Sequence, residues 1–204
     1  MTKIRIEVAS DVICPWCYIG KRRLEKALNL LNGELEVEIS WLPFQLNPAM
    51  PKEGMPRAEY RKAKFGSLER SRSLDARVIA EGRSEGIEFA FDRIERTPNT
   101  IEAHKLIGLA QDQSRVVNAL FKAYFEEAKD IGDPKVLAEI AAQCGVQGWP
   151  EEGEKRAHDV SQLEQEVREM GISAVPTFIF ARRTGVSGAY PAETLAQAIR
   201  EAAR

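Results

Sequence analysis

The chain opens on an alternating stretch, Lys3-Ile-Arg-Ile-Glu-Val8, with Ile4, Ile6 and Val8 on one face and charged residues on the other. Period two predicts a half-buried strand over residues 3–10. From Pro15 to about Leu31 the apolar positions take helical spacing, and Asn32-Gly33 supplies the stop. Leu35, Val37, Ile39 and Trp41 return to period two, which predicts a second strand within 34–46. Strand, helix and strand in succession imply a parallel pair in a right-handed βαβ unit.

The texture changes at Asn47. Residues 47–56 are dense in Pro and Gly and read as a loop. Helical periodicity then dominates, with candidate helices at 57–65 and 68–85, and a short ambiguous stretch from Phe89 to Ile94. Thr97-Pro98-Asn99-Thr100 reads as a helix start, leading to Ala103, Leu106, Ile107 and Ala110. Val116, Leu120, Ala123 and Tyr124 mark a further helix. Asp133-Pro134 starts another, with Asp as cap and Pro at the first helical position, ending near Cys144-Gly145. Residues 151–170 read as one charged helix. Strand character returns at 177–181, a turn at 182–185 leads to Val186-Ser187, and a helix over 191–203 closes the chain. The expected organisation is an α/β domain built from 1–46 plus 171–204, split by an all-helical insertion over 47–170. No internal repeat or low-complexity tract interrupts it.

Composition narrows the class. The 204 residues are 44% hydrophobic and 29% charged, as in an ordinary globular protein. Lys and Arg number 29 against 31 Asp and Glu, which argues against nucleic acid or an anionic membrane as the main partner. No apolar run is long enough to span a bilayer. The N-terminal stretch lacks the apolar core of a secretory signal, so the expected compartment is the cytoplasm. Three cysteines are too few for a disulfide scaffold.

Two of them carry the chemistry. In Asp11-Val-Ile-Cys14-Pro15-Trp16-Cys17-Tyr18-Ile19-Gly20 the thiols stand three positions apart, after a strand and at the start of a helix. That is the setting of a thiol–disulfide redox site. With Pro15 as first helical residue, Cys14 sits at the helix N-terminus, where free N–H groups and the dipole stabilise a thiolate. A lowered pKa makes Cys14 a nucleophile and a good leaving group. Cys144, at the end of an apolar helix, reads as a small buried thiol.

These segments, in order along the chain, resemble the DsbA family of thioredoxin-fold proteins, and within it the FrnE-like branch. The matching stretches are the Cys14-Pro-Trp-Cys17 segment, Phe44-Gln-Leu-Asn-Pro48, Arg96-Thr-Pro-Asn-Thr100 with Ala103-His104, Gly171-Ile-Ser-Ala-Val-Pro-Thr-Phe178 and Gly185-Val-Ser-Gly-Ala189. The resemblance implies a thioredoxin-like fold with a large all-helical insertion, and dithiol–disulfide exchange on protein or small thiol substrates. It makes Cys14 the attacking sulfur and Cys17 the resolving one, with Pro15 and Trp16 tuning the pair. It implies a cis-proline at Pro176 facing the thiols, where the Val175 backbone pairs with an extended substrate segment. No bound cofactor is implied beyond the redox-active Cys14–Cys17 pair, with glutathione as an eventual co-substrate.

Other residues read two ways. Asp11 is a proton acceptor or a repulsive neighbour for the thiols, or else a solvated turn residue. Tyr18 and Trp16 line a substrate groove or belong to the core. His104 is a core or interface histidine, with a proton shuttle as the alternative. Lys21, Arg22 and Arg23 read as a solvated helix face, and His158 as surface. Glutathione-dependent isomerases and transferases (the 2-hydroxychromene-2-carboxylate isomerase and kappa-class types) share the split fold. They carry a Ser where this chain has Cys14, and Asn47 matches a substrate-contacting Asn of that group. A zinc site built on Cys14, Cys17, Cys144 and His104 lacks the usual second close-spaced ligand pair. A holdase-like binding module is the non-enzymatic alternative. A monomer or a homodimer fits the sequence equally.

Overall fold

The computed structural model describes residues 2–204. β1 (Thr2–Ser10), α1 (Pro15–Leu31) and β2 (Leu35–Pro43) form the expected unit, with β1 and β2 parallel in unbroken register from Thr2↔Leu35 to Ser10↔Pro43. Asn32 ends α1 in the left-handed conformation, at φ 44°. The inserted stretch holds β3 (Met55–Pro56), α2 (Arg57–Phe65), α3 (Leu68–Ser84), β4 (Arg96–Thr97), α4 (Ile101–Leu109), α5 (Gln113–Phe125), α6 (Pro134–Cys144), α7 (Glu151–Lys155) and α8 (Ala157–Glu169). The chain then returns through β5 (Thr177–Phe180), β6 (Thr184–Ser187) and α9 (Ala192–Ala202). The main sheet has the order β2-β1-β5-β6, with β5 antiparallel to β1 and β6 antiparallel to β5. This is a thioredoxin-like α/β fold with a helical insertion.

Alternation along the central strands gives the sheet two apolar faces. Ile4, Ile6, Val8, Phe178 and Phe180 pack with α1 and α9. Ala9, Leu42 and Ile179 pack on the other side with Leu163 and Val167 of α8. The first core runs without a break into the insertion. Tyr18 of α1 stacks on Phe121 of α5 with ring centroids 5.0 Å apart, and Phe125 and Phe89 complete the aromatic cluster. Each such ring removed from water contributes on the order of 2–3 kcal/mol. Tyr18 is therefore core and not groove, and its phenol donates to Glu126 at 2.5 Å.

Three expectations are corrected and one ambiguous stretch is resolved. Residues 151–170 form two helices, because Arg156 N–H bonds back to the Gly153 carbonyl in a tighter three-residue closure that interrupts the α-helical pattern. Residues 89–94 are neither helix nor strand but turns that lay Phe89 and Phe91 against Phe125, with Ala90 N–H donating to the Phe125 carbonyl. Cys144 is half-buried rather than buried. Lys21 and Arg23 are not on a solvated face. Lys21 is 4% exposed and reaches Glu25 and Asn118. Arg23 ties α1 to Glu81 and Glu85 and donates to the Ala189 carbonyl at 2.5 Å. No described helix is long and apolar enough to cross a membrane.

Candidate active site

β1 ends at Ser10, and a tight turn follows in which Cys14 N–H donates to the Asp11 carbonyl at 3.0 Å. Cys14 is extended, at φ −93° and ψ 111°, and is the N-cap of α1; Pro15 occupies the first turn, where a missing N–H costs nothing. One helical turn on, Cys17 falls on the same side as Cys14. Both are free thiols; Cys14 is 5% exposed and Cys17 1%.

The two sulfurs have opposite electrostatics. The Cys17 thiol donates to Cys14 and holds its pKa below the ordinary thiol value, against burial, which pushes it up. The N–H groups of Cys17 and Trp16 lower it further, while the Asp11 carboxylate raises it. Cys14 makes no formal capping hydrogen bond, so the helix end acts on it as a field. Burial drives the Cys17 pKa well above the thiol range, and the charge developing on Cys14 adds to that rise. The two shifts run in opposite directions, down for Cys14 and up for Cys17.

A distant segment closes the site. The Cys14 thiol lies 3.7 Å from the Val175 carbonyl oxygen, to which it donates. The Val175–Pro176 peptide is cis. Pro176 is buried against Gly20 of α1: a Cβ at Gly20 would stand 2.9 Å from Pro176 Cγ and 3.2 Å from Phe178 Cζ. Only glycine lets α1 approach this closely. The segment is braced by Thr177 Oγ1, which donates to the Ala174 carbonyl at 2.7 Å, and by Gly188 N–H, which donates to the Pro176 carbonyl at 2.8 Å. Ser173 and Ala174 beside it are exposed. Pro15 and Trp16 are half-buried, and Trp16 packs against the main core.

The remaining candidates are placed as follows. Asp11 is fully buried, not solvated, and its Oδ2 accepts from Leu46 N–H at 2.7 Å, fixing the loop that carries the half-buried Asn47. His104 is 4% exposed, with Nε2 3.5 Å from Asp11 Oδ1. Asp11 is sealed from solvent, whereas His104 lines a cavity that extends to the exposed Arg156 and Asp159. His158 is exposed. Among the described residues, no cluster of three or more His, Cys, Asp or Glu side chains is arranged to hold a metal, so the four zinc candidates do not converge. Sequence reasoning missed Ser10, whose hydroxyl lies beside Cys17 and offsets part of its pKa rise. A serine at a strand end carries no signal of that role.

Residues 5–200 match the DSBA-like thioredoxin domain model. The chain belongs to that family. This DSBA-like chain is 32% identical to a probable DsbA oxidoreductase from Streptomyces coelicolor, whose crystal structure superposes with a TM-score of 0.83 over 98% of this chain and 89% of that one. A 2-hydroxychromene-2-carboxylate isomerase superposes at 0.73 with 14% identity, over 97% and 95% of the two chains. The cytosolic disulfide reductase DsbM from Pseudomonas aeruginosa superposes at 0.62 with 14% identity, over 98% and 95%. At these lower identities the likeness is one of fold.

Proposed function

We propose that this protein is a thiol–disulfide oxidoreductase in which Cys14 attacks and Cys17 resolves. The observation that carries the reading is the asymmetry of the pair: Cys14 at a helix start with its pKa shifted down by the Cys17 hydrogen bond, Cys17 buried with its pKa shifted up. In the reducing direction the Cys14 thiolate attacks a substrate disulfide, a mixed disulfide forms on Cys14, and Cys17 displaces the second substrate thiol. The oxidising direction runs through the same species. The Val175 carbonyl, within reach of the Cys14 thiol, marks the backbone edge along which an extended substrate would lie. Pro15 and Trp16 would tune the pair, with Asn47 on the adjoining loop.

The pair carries two electrons itself, so the reaction needs no bound cofactor. Glutathione is the small thiol proposed as co-substrate; a structure of the reductase DsbM with GSH, covering 98% of this chain, supports that choice. We place the protein in the cytoplasm, where the thiol pool favours reduction or isomerisation of client disulfides. The likeness to the isomerase adds no second activity, because Cys14 itself occupies the helix start and supplies the thiol.

Catalysed reduction of insulin disulfides tests the reading. Wild type should accelerate it, Cys14→Ser should abolish the acceleration, and Cys17→Ser should stall after a single attack. No acceleration in either the reducing or the oxidising direction overturns it.

A further inference from the structure

Two adjoining clefts run from the dithiol segment out over the insertion. The inner one, of about 30 Å³, is lined by Ile13 and Pro15, the neighbours of Cys14 on either side, and by Arg57, Tyr60 and Arg61 of α2. The rest of its lining is buried and uncharged, so the two arginines are its only charged residues. The outer cleft, of about 530 Å³, shares Arg57, Arg61 and Phe91 with the inner one and extends along α3 to Arg72 and Asp75. Around the outer cleft the exposed Arg72 and Asp92 offset one another, which leaves Arg57 and Arg61 facing Asp75.

Two guanidiniums thus share one counter-charge. Asp75 accepts from Arg57 Nη2 at 3.0 Å and from Arg61 Nη2. Arg61 also donates to the Ser71 hydroxyl at 2.7 Å and to the Ser71 carbonyl at 3.1 Å. The side chains of Arg57 and Arg61 are only 16% and 13% exposed, and that of Asp75 12%. One positive charge is left over in a place largely withdrawn from water, where an unpaired charge is costly. Arg57 has the most to offer a partner. Its guanidinium lies over the Phe91 ring, 5.1 Å from the centroid, and its Nε and Nη1 make no hydrogen bond among the described residues. The Tyr60 hydroxyl accepts from Lys64 at 2.9 Å, which leaves its own O–H free to donate. A guanidinium fork with a phenol beside it is a donor set matched to a carboxylate.

We propose that Arg57, Arg61 and Tyr60 form an anion subsite beside Cys14 that holds a carboxylate of the disulfide substrate, so that the protein selects acidic disulfides over neutral ones. The inference rests on the thiol–disulfide reading above and names a substrate class for it. In the attack step the Cys14 sulfur bonds to one substrate sulfur, and the other leaves as a thiolate with the electron pair of the broken S–S bond. The carboxylate takes no part in either change; its ion pair holds the disulfide against Cys14. The net charge of −2 supplies no such preference, since the field of the whole protein repels an anion. The attraction is local to the cleft.

Stopped-flow reaction of reduced Cys144→Ser protein with two disulfides tests the subsite. One is a nitrobenzoate disulfide with a carboxylate on each ring, the other a neutral dithiodipyridine; both release a coloured product. The first release of colour reports attack by Cys14. The ratio of the two rate constants, divided by the same ratio for a small free thiol, measures the preference. The parent protein should favour the nitrobenzoate disulfide by about tenfold, as one charge-assisted pair allows. Arg57→Gln should remove most of that preference, and Arg57→Lys, which keeps the charge but not the fork, should restore part of it. Added salt should slow the nitrobenzoate reaction of the parent protein, because it screens an attraction, and quicken that of Arg57→Gln, whose remaining field repels. The salt response of the parent protein needs no substitution in the cleft, so it decides the matter even if Arg57→Gln fails to fold. Attack on both disulfides with no preference beyond the free thiol, a preference that survives Arg57→Gln, or a nitrobenzoate reaction that salt quickens in the parent protein overturns the subsite alone. Failure of Cys14 to attack either disulfide overturns the thiol–disulfide reading, and the subsite with it.

Discussion

At the scale of single residues, the site turns on how differently two cysteines three positions apart are solvated and hydrogen-bonded. Cys14 caps a helix and accepts from Cys17, whereas Cys17 is sealed below it. Alkylation of Cys14 should therefore set in at a lower pH than alkylation of an ordinary exposed thiol. Cys17, measured in Cys14→Ser, should resist alkylation until well above the pH at which an ordinary exposed thiol reacts. Mass spectrometry of iodoacetamide-treated protein across pH checks both. The spacing of the thiols and Pro15 were legible in the sequence, because local geometry alone sets them. Gly20 was not, since its reason lies 156 residues away in Pro176, with 2.9 Å left for a Cβ. Gly20→Ala should destabilise the fold by about 1–3 kcal/mol, the usual cost of overpacking. It should also shift the Pro176 segment relative to Cys14, visible as a lower denaturation midpoint with a changed alkylation profile.

At the scale of elements, α1 is held on three sides. Gly20 meets Pro176, Tyr18 stacks on α5, and Arg23 reaches α3 and the Ala189 carbonyl. Arg23→Ala would leave the Glu85 carboxylate, 8% exposed at its side chain, with Lys26 alone. Loss of hydrogen bonds to charged groups in a half-buried setting points to about 2 kcal/mol of destabilisation, readable in urea unfolding. Charged helix positions show from sequence alone which face of a helix is polar, but not whether another helix covers that face. That is why Lys21 and Arg23 read as solvated while the structure buries them between elements. The strands and most helix limits were legible because period and caps are local, as at Asn32 and Asp133. The break at Arg156 was not, because no proline or exposed glycine marks it. The two-residue β3–β4 ribbon is too short to show a period at all.

At the scale of the whole molecule, one core joins the α/β part to the insertion, and both cysteines belong to that core, with the Val175 carbonyl at Cys14. The insertion is thus part of the site's environment. Asp11 shows the coupling: a single buried carboxylate anchors the loop after β2, faces His104 of α4, and raises the Cys14 pKa. The sequence placed Asp11 and His104 among the candidates, but not against each other, because that pairing depends on the docking of α4 against the strand ends. The proposed function requires that disulfides be exchanged through one sulfur only. The most direct test is to expose Cys17→Ser protein to a disulfide-bonded peptide and locate the adduct by mass spectrometry. A stable mixed disulfide on Cys14, absent from Cys14→Ser, is the predicted result; an adduct confined to Cys144, or none at all, would contradict it.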